Sequence, residues 1–260
     1  MNDLVAVTTI KYKENELSEA GIIGAVRAQA FLVTARNLKA SNIPCVAIFD
    51  ECGAPYLATL KDIGIILVQQ RGTSMGSVRR EAFRAASDMF TSATYFAWLE
   101  PEKPDIVRYL SPLMEIMSRE TSTLGLFNRT EESMKSYGKL QAYYYLFCRS
   151  LANDLLGRDI DLAFGPMIVT RDGLREILSY NGEYGDKWDA LFIPRLRMIT
   201  KGMRVSILNI DFINYLPMNE VERRNIAIIE KRLMQMNNVT NALIIEWRIL
   251  NNNSSALLAV

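Results

Sequence analysis

Two glutamates one residue apart are the sharpest chemical feature of this sequence. Glu100 and Glu102 stand in a Glu-Pro-Glu segment that directly follows the apolar run 95–99. Two carboxylates at this spacing can face the same side of a crevice and hold a divalent cation, Mn²⁺ or Mg²⁺, as a bound diphosphate requires. The alternative is a solvated surface turn, because paired carboxylates are also common in exposed loops.

A segment rich in glycine and arginine follows the apolar run 63–69. Gly76 allows close approach of the backbone, and the helix predicted from residue 77 directs its first N–H groups toward an anion. Arg71 and Arg79 flank this loop, and a guanidinium suits phosphate oxygens. The segment is neither a P-loop nor a dinucleotide fingerprint. It is a candidate phosphate site, and the alternative is an amphipathic helix with a basic solvent face.

Polar residues also follow the first two predicted strands, 4–10 and 45–49, which are short apolar runs. The residues at these positions are Thr8, Thr9, Lys11, Asp50 and Glu51. A carboxylate after the second strand can accept hydrogen bonds from a ribose or a base. The alternative is a turn cap, which Asp favours.

Asp186 and Asp189 lie at the start of the helix predicted over residues 188–201. One interpretation makes Asp186 the N-cap and Asp189 its capping-box partner. The other makes one of them a base that the helix start carries into a crevice. The local pattern favours the cap.

These side chains must be positioned by the alternating strands and helices of the first half of the chain. Predicted helices over 24–40 and 77–90 separate the strands, and such crossovers require a mainly parallel sheet with helices on both faces. Ligands of open α/β sheets bind beyond the carboxyl ends of the strands. The strand-end clusters are therefore expected to converge on one crevice.

The second half of the chain is predicted to add mostly helices. The predicted helices cover 106–119, 134–156, 171–180, 188–201 and 220–237, and the predicted strands cover 163–170 and 204–212. We expect one domain over residues 1–250 with a helical C-terminal extension. Residues 251–260 are predicted to be a flexible tail, because this Asn- and Ser-rich segment has little to bury.

Composition excludes several functional classes. The 260 residues carry 30 Lys and Arg against 29 Asp and Glu, so no overall charge attracts nucleic acid or anionic lipid. Histidine is absent, which excludes histidine-dependent triads and histidine metal ligands. The three cysteines form no Cys-x-x-Cys pair and are typical of a reducing compartment. Without an apolar run of about 18 residues or a signal-peptide pattern, the expected protein is cytoplasmic, with no membrane span.

The order of these segments resembles that of GT-A-fold nucleotide-diphospho-sugar glycosyltransferases, closest to the family 2 type. The matching segments are 5–14, 47–53, 69–83, 96–102, 164–166 and 185–189. The resemblance covers roughly residues 4–215 and rests on the order and spacing of several motifs. It implies a Rossmann-like α/β domain that binds a nucleotide-diphosphate sugar and a small-molecule acceptor.

The resemblance also implies roles for individual residues. The nucleobase and ribose would contact Thr8, Thr9, Lys11, Asp50 and Glu51, and the rest of the nucleotide would contact Arg71, Gly76 and Arg79. Glu100 and Glu102 match the Asp-x-Asp element that binds diphosphate through a metal. Asp186 or Asp189 would be the carboxylate that activates the acceptor.

Two departures from the family pattern bear on the metal. The Asp-x-Asp pair is Glu-Pro-Glu, followed by Lys103, which could itself neutralise phosphate, and the frequent third histidine ligand is missing. Either fewer ligands hold the metal, or Arg and Lys stabilise the leaving diphosphate without it, or catalysis has been lost on a nucleotide-binding scaffold.

The expected function is glycosyl transfer from a nucleotide-diphosphate sugar to a hydroxyl acceptor. Nucleotidyl transfer to a sugar phosphate is disfavoured, because the segment 8–15 after the first strand contains no glycine. A non-catalytic binding or scaffold protein, which could be a homo-oligomer, is the other alternative.

Overall fold

The computed structural model describes residues 3–12, 22–222 and 225–257, and seven strands of these residues form one sheet. The strands are β1 (Leu4–Lys11), β2 (Cys45–Asp50), β3 (Ile66–Gln69), β4 (Tyr95–Trp98), β5 (Leu124–Arg129), β6 (Met167–Thr170) and β7 (Val205–Ile210). Their order is β3-β2-β1-β4-β6-β5-β7, and only β6 runs antiparallel to its neighbours β4 and β5. The predicted mainly parallel α/β sheet is confirmed.

Helices cover both faces of this sheet. They are α1 (Ile22–Ala40), α2 (Ala54–Ile63), α3 (Met75–Met89), α4 (Leu110–Glu120), α5 (Glu131–Lys135), α6 (Lys139–Leu156), α7 (Arg171–Ser179), α8 (Asp189–Thr200), α9 (Leu216–Glu222) and α10 (Ile226–Leu257), with a 3-10 helix at Pro104–Tyr109. Because both faces are covered, the central strands read as continuous apolar runs. In β1, Ala6 belongs to the core that contains Phe31 of α1, whereas Val7 belongs to the opposite core that contains Phe83 of α3.

The long helix α10 packs against α8 and α6. Val239, Ala242 and Leu243 bury its apolar side in the core of the α3 and α8 face. The helix continues to Leu257, so residues 251–257 of the predicted tail are helical, and residues 258–260 lie outside the described part of the chain. None of the described helices is long and apolar enough to cross a membrane.

Several elements differ from the sequence predictions. Helix α2 was not predicted, the strand predicted over 163–170 begins only at Met167, and the helix predicted over 220–237 falls on α9 and the first part of α10. The strand predicted over 63–69 begins only at Ile66, because Ile63 ends helix α2, which is closed by Gly64 in a left-handed conformation (φ 110°). Strand β5 was not predicted. The helix predicted over 134–156 is two helices, α5 and α6, and Gly138 is the N-cap of the second.

Candidate functional site

A crevice of about 470 Å³ lies at the carboxyl ends of β1, β2 and β4. The chain runs from β1 outward to β3 on one side and continues at β4 on the other, so the crevice lies at the switch point of the sheet. The predicted site residues that border it are Thr9, Lys11, Asp50, Arg79, Glu100 and Glu102. The structure therefore brings together polar residues that are up to 93 positions apart in the sequence, from Thr9 to Glu102.

The β1 and β2 end of the crevice carries a lysine between two carboxylates. Lys11 Nζ lies 2.7 Å from Asp50 Oδ2 and 3.1 Å from Glu51 Oε2. Hydrogen bonds to both carboxylates raise the pKa of Lys11 above its ordinary value. Thr8, in contrast, is fully buried and donates its hydroxyl proton to the Leu99 carbonyl at 2.9 Å. Thr8 thus joins β1 to the end of β4 and leaves the crevice surface to Lys11 and Asp50.

At the end of β4, Glu100 forms an ion pair with Lys103 at 2.8 Å. The Lys103 ammonium is buried and lies 5.1 Å from the ring centre of Phe164 and 5.7 Å from that of Phe212. Burial alone would lower the pKa of Lys103, but the charge of Glu100 raises it well above its ordinary value. Burial alone would raise the pKa of Glu100, but Lys103 lowers it. Both groups are therefore charged at neutral pH.

Glu102 has a looser partner than Glu100. Its Oε1 lies 3.8 Å from Arg27 Nε of helix α1. No three Asp, Glu, Cys or His side chains of the described residues are grouped so that they could hold a metal ion. A divalent cation beside Glu100 would have to displace the Lys103 ammonium. This donor set does not fit such a cation, and the metal-ligand role of Glu100 and Glu102 stays a prediction.

Arg79 of helix α3 reaches the crevice across the Trp98 ring, with its Cζ 5.5 Å from the ring centre. Its Nη1 donates a hydrogen bond to the Lys187 carbonyl at 2.7 Å. Burial lowers the pKa of Arg79 to about 10, and nearby carboxylates, Glu100 first, oppose this shift. Within the described part of the chain, Arg79 Nε is buried without a hydrogen-bond partner. The Nε–H group of Arg79 is therefore available to donate a hydrogen bond in the crevice.

Arg71 and Gly76 do not border the crevice. The backbone N–H of Arg71 donates to the Glu81 carboxylate at 3.1 Å, which ties the loop to helix α3. Gly76 packs against Asp186: its N–H donates to the Asp186 carbonyl at 2.8 Å, and an added Cβ would lie 2.6 Å from the Asp186 Cγ. The backbone approach predicted for Gly76 is made to the loop before α8. The nucleotide contacts of both residues remain predictions.

Asp186 and Asp189 also lie away from the crevice lining. Asp186 receives two hydrogen bonds from Arg80, at 2.7 and 3.0 Å, and one from the Ser74 hydroxyl. Asp189 is buried and accepts hydrogen bonds from the Tyr180 hydroxyl at 2.5 Å and from the backbone N–H groups of Asp186 and Lys187. The predicted Asp186 cap is wrong, because the N-cap of α8 is Trp188, which makes no side-chain cap hydrogen bond, and Asp189 accepts hydrogen bonds from the turn before the helix. A catalytic role for either stays a prediction.

The sequence interpretation missed a basic side of the crevice. Lys231, Arg232 and Gln235 of α10 and Arg27 of α1 border it. The only sequence signal for the three residues of α10 was the high charge of residues 220–237, which is equally typical of a solvated helix face. Their position depends on how α10 packs against α6 and α8, which local patterns do not determine.

Replacing Gly165 with alanine is expected to disturb Glu100. An added Cβ would contact the Glu100 carboxylate and lie 2.6 Å from its Cδ. The Glu100 carboxylate, which Lys103 holds at 2.8 Å, would have to shift. We expect Gly165→Ala to lower the free energy of unfolding by about 1–3 kcal/mol in urea denaturation. Gly138→Ala is the matched control, because an added Cβ there meets nothing within 4 Å and its φ is −62°. Equal losses for the two variants would contradict this packing.

Known proteins are similar to this chain in structure but not in sequence. No protein-family model matches the sequence, and no curated protein is a significant relative. The structure is similar to glucosyl-3-phosphoglycerate synthase from Mycobacterium tuberculosis in complex with UDP, with a TM-score of 0.53 and 9% identity over 91% of this chain and 80% of that one. The same synthase with Mn²⁺, UDP and glucosyl-3-phosphoglycerate gives a TM-score of 0.50 and 10% identity over 89% of this chain and 80% of that one.

A protein from Desulfovibrio desulfuricans G20, provisionally named a nucleotide-diphospho-sugar transferase, gives a TM-score of 0.50 and 10% identity over 92% of this chain and 99% of that one. At these identities the similarity establishes the fold alone. The chain therefore has the GT-A-like fold that its sequence predicts.

Proposed function

We propose that the crevice binds a nucleotide-diphosphate sugar and transfers the sugar to a hydroxyl acceptor without a divalent cation. The observation that carries this proposal is the convergence of Lys11, Asp50, Glu100 and Glu102 on one crevice at the switch point of a GT-A-like sheet. Its volume, about 470 Å³, is within the range of small-molecule sites. The fold relative from M. tuberculosis is in complex with UDP, which supports a nucleotide as the ligand.

The nucleoside is assigned to the β1 and β2 end of the crevice. The Asp50 carboxylate has oxygen lone pairs beyond the one that Lys11 uses, and these can accept hydrogen bonds from the hydroxyls of a ribose. Lys11 holds this carboxylate in place at 2.7 Å. Thr9 lies on the same side of the crevice, beside the end of β1.

The diphosphate is assigned to the β4 end, where Arg79 and Lys103 supply positive charge. During transfer the acceptor oxygen bonds to the anomeric carbon, while the bond from that carbon to the diphosphate oxygen breaks and its electron pair leaves with the diphosphate. Fixed cations that face this developing charge lower the barrier. One complex of the M. tuberculosis synthase contains Mn²⁺ together with UDP and glucosyl-3-phosphoglycerate. In this chain we assign that electrostatic role to the ammonium and guanidinium groups.

The acceptor proton needs a base, and the sequence predicted Asp186 or Asp189 for this role. We propose Glu102 instead, because it borders the crevice and its ion pair is the longest among the crevice carboxylates. The corresponding distances are 2.7 Å for Asp50, 2.8 Å for Glu100 and 3.4 Å for Glu222. In this proposal the two aspartates hold the loop before α8 against α3.

The direct test is calorimetric titration with UDP and GDP, each with excess EDTA and with Mn²⁺. We expect one of them to bind with an affinity that differs by less than about twofold between the two conditions, because the charge partners are side chains. Arg79→Gln should weaken this binding about tenfold to a hundredfold, as expected for a hydrogen bond to a charged group. Arg175→Gln, on the exposed side of α7, is the control.

The outcomes of this titration separate the alternatives. Binding that requires Mn²⁺ would overturn the cation-independent mechanism, and no binding of either nucleotide would overturn the nucleotide site itself. Binding of a nucleotide sugar without turnover, either by hydrolysis or by transfer to any hydroxyl acceptor, would favour the non-catalytic binding protein.

A further inference from the structure

Three cationic side chains converge on the crevice from helices that the nucleotide assignment does not use. Arg27 comes from α1, and Lys231 and Arg232 come from α10. Within the described part of the chain, Arg27 Nε and Arg232 Nε are buried without a hydrogen-bond partner. Lys231 has no hydrogen bond or ion pair to any other described residue. This basic cluster, Arg27, Lys231 and Arg232, therefore has donors that no described residue uses.

The carboxylates around the basic cluster do not balance its charge. Arg27 lies 3.8 Å from Glu102, and Arg232 lies 3.4 Å from Glu222. Burial lowers the pKa of Lys231, and the charges of Arg27 and Arg232 lower it further, against the opposing effect of Glu102 and Glu222. Among the described residues, one surplus positive charge thus lies on the exposed side chain of Lys231, beside two like charges. Such a position is unfavourable in the empty site and becomes favourable when an anion binds.

The basic cluster and the cations assigned to the diphosphate border the same crevice from different elements, since Arg79 belongs to α3 and Lys103 to the segment after β4. The charged groups that act on Lys231 are Arg27, Arg232, Glu102 and Glu222. Those that act on Arg79 are Glu100, Asp189, Asp186 and Glu102. Glu102 belongs to both sets, and Glu100 acts on Arg232 as well as on Arg79. Glu102 borders the crevice and pairs with Arg27 of the basic cluster at 3.8 Å.

We infer that Arg27, Lys231 and Arg232 form a subsite for a phosphate or carboxylate group carried by the acceptor. The inference rests on the proposed function, in which Glu102 faces the acceptor hydroxyl. An acceptor whose hydroxyl points at Glu102 places its neighbouring substituent near Arg27, 3.8 Å from Glu102, in the crevice that Lys231 and Arg232 also border. The substrate class is therefore a small hydroxyl compound with an anionic group a few atoms from the reacting oxygen.

Inorganic phosphate is the probe that tests this subsite. It is titrated calorimetrically into the full chain, first alone and then with saturating UDP or GDP, whichever binds. We expect phosphate to bind in both cases. Lys231→Met should weaken phosphate binding about tenfold or more, while the affinity for the nucleoside diphosphate should change less than about twofold. Lys135→Met removes the same charge from an exposed position on α5, away from the crevice, and should change neither.

Each result decides the inference separately from the proposed function. Phosphate that competes with the nucleoside diphosphate would place the basic cluster in the diphosphate site and overturn the inference. Phosphate that binds beside the nucleoside diphosphate but is displaced by the matching nucleotide sugar would assign the subsite to the donor sugar and also overturn it. Phosphate binding that is absent, or insensitive to Lys231→Met, would overturn it as well. Failure of the proposed function appears instead as an absence of nucleotide binding.

Discussion

Replacing Asp161 with asparagine is expected to lower the free energy of unfolding by about 3–5 kcal/mol, because it leaves the Arg129 guanidinium buried without a counter-charge. Both side chains are fully buried, and they share two hydrogen bonds of 2.7 and 3.1 Å. Burial alone would lower the pKa of Arg129, and the Asp161 charge raises it above its ordinary value. Arginine does not lose its proton at accessible pH. The unpaired charge would therefore remain in the core.

Urea denaturation of wild type and variant measures this loss directly. Asp172→Asn is the matched control, because Asp172 pairs with Arg175 at an exposed position and such pairs contribute about 0–1 kcal/mol. The double variant Arg129→Met with Asp161→Leu should recover most of the stability, since apolar replacement of a buried ion pair is often neutral. A loss as small as that of the control would show that the pair is not buried.

The buried pair also supports the crevice. Arg129 lies at the end of β5, with its Cζ 3.8 Å from the ring centre of Tyr145 and 4.6 Å from that of Phe164. The Tyr145 side chain borders the crevice. Phe164 precedes Gly165, which packs against Glu100. The charge pair thus supports Tyr145 and Phe164 beside the crevice, although neither Arg129 nor Asp161 borders it.

The first half of the fold was predictable because its signals are local. The strands β1, β2 and β4 are continuous apolar runs that end at polar residues, and buried parallel strands require this pattern. Their parallel arrangement then brings Asp50 and Glu100 to the same edge of the sheet. The convergence of the strand-end residues on one crevice follows from these two facts.

Strand β5 was missed because its burial is a tertiary effect. Its segment Leu124–Arg129 contains Gly125 and ends in Asn128 and Arg129, which suggest a turn and a solvated end. Every residue of the strand is nevertheless buried, since Arg129 is neutralised by Asp161 and Asn128 hydrogen bonds to the backbone near residue 160. A local sequence pattern does not predict an ion-pair partner that is 32 residues away.

Helix α2 was not predicted, although the sequence contains signals for both of its ends. Pro55 stands in its first turn, and Gly64 closes it in a left-handed conformation. Both are recognised helix boundaries. The prediction instead extended the following strand back to residue 63, because Ile63, Ile65 and Ile66 form an apolar run with only Gly64 between them.

The site itself was predictable only for residues at strand ends. The roles of Asp186 and Asp189 depend on Arg80 and Tyr180, which the fold brings to the start of α8. The contribution of α10 depends on the packing of a helix more than 120 residues after Glu102 in the sequence. The position of α10 and the partners of the two aspartates are both set by long-range packing. In our proposal the two aspartates, which the sequence predicted to be catalytic, are structural groups.

Replacing Lys103 with methionine is expected to lower the turnover of nucleotide-sugar transfer about 10²–10³-fold, as for other fixed groups that stabilise a leaving anion. Methionine fills the pocket between Phe164 and Phe212, so the fold should survive. The Glu100 carboxylate, however, would then face the diphosphate without its counter-ion. Turnover and UDP or GDP affinity are measured against Lys201→Met, which removes an exposed lysine paired with Glu176.

Two further measurements separate a charge effect from a loss of packing. Adding Glu100→Gln to Lys103→Met removes the repulsion and should restore part of the nucleotide affinity, whereas damage to the pocket would not be relieved. Mn²⁺ should improve nucleotide binding by Lys103→Met but not by wild type, because Glu100 and Glu102 would then be available to an added cation. If Lys103 occupies the position of a metal, removing it creates a metal dependence. If Mn²⁺ acts equally on both proteins, or on neither, Lys103 does not hold that position.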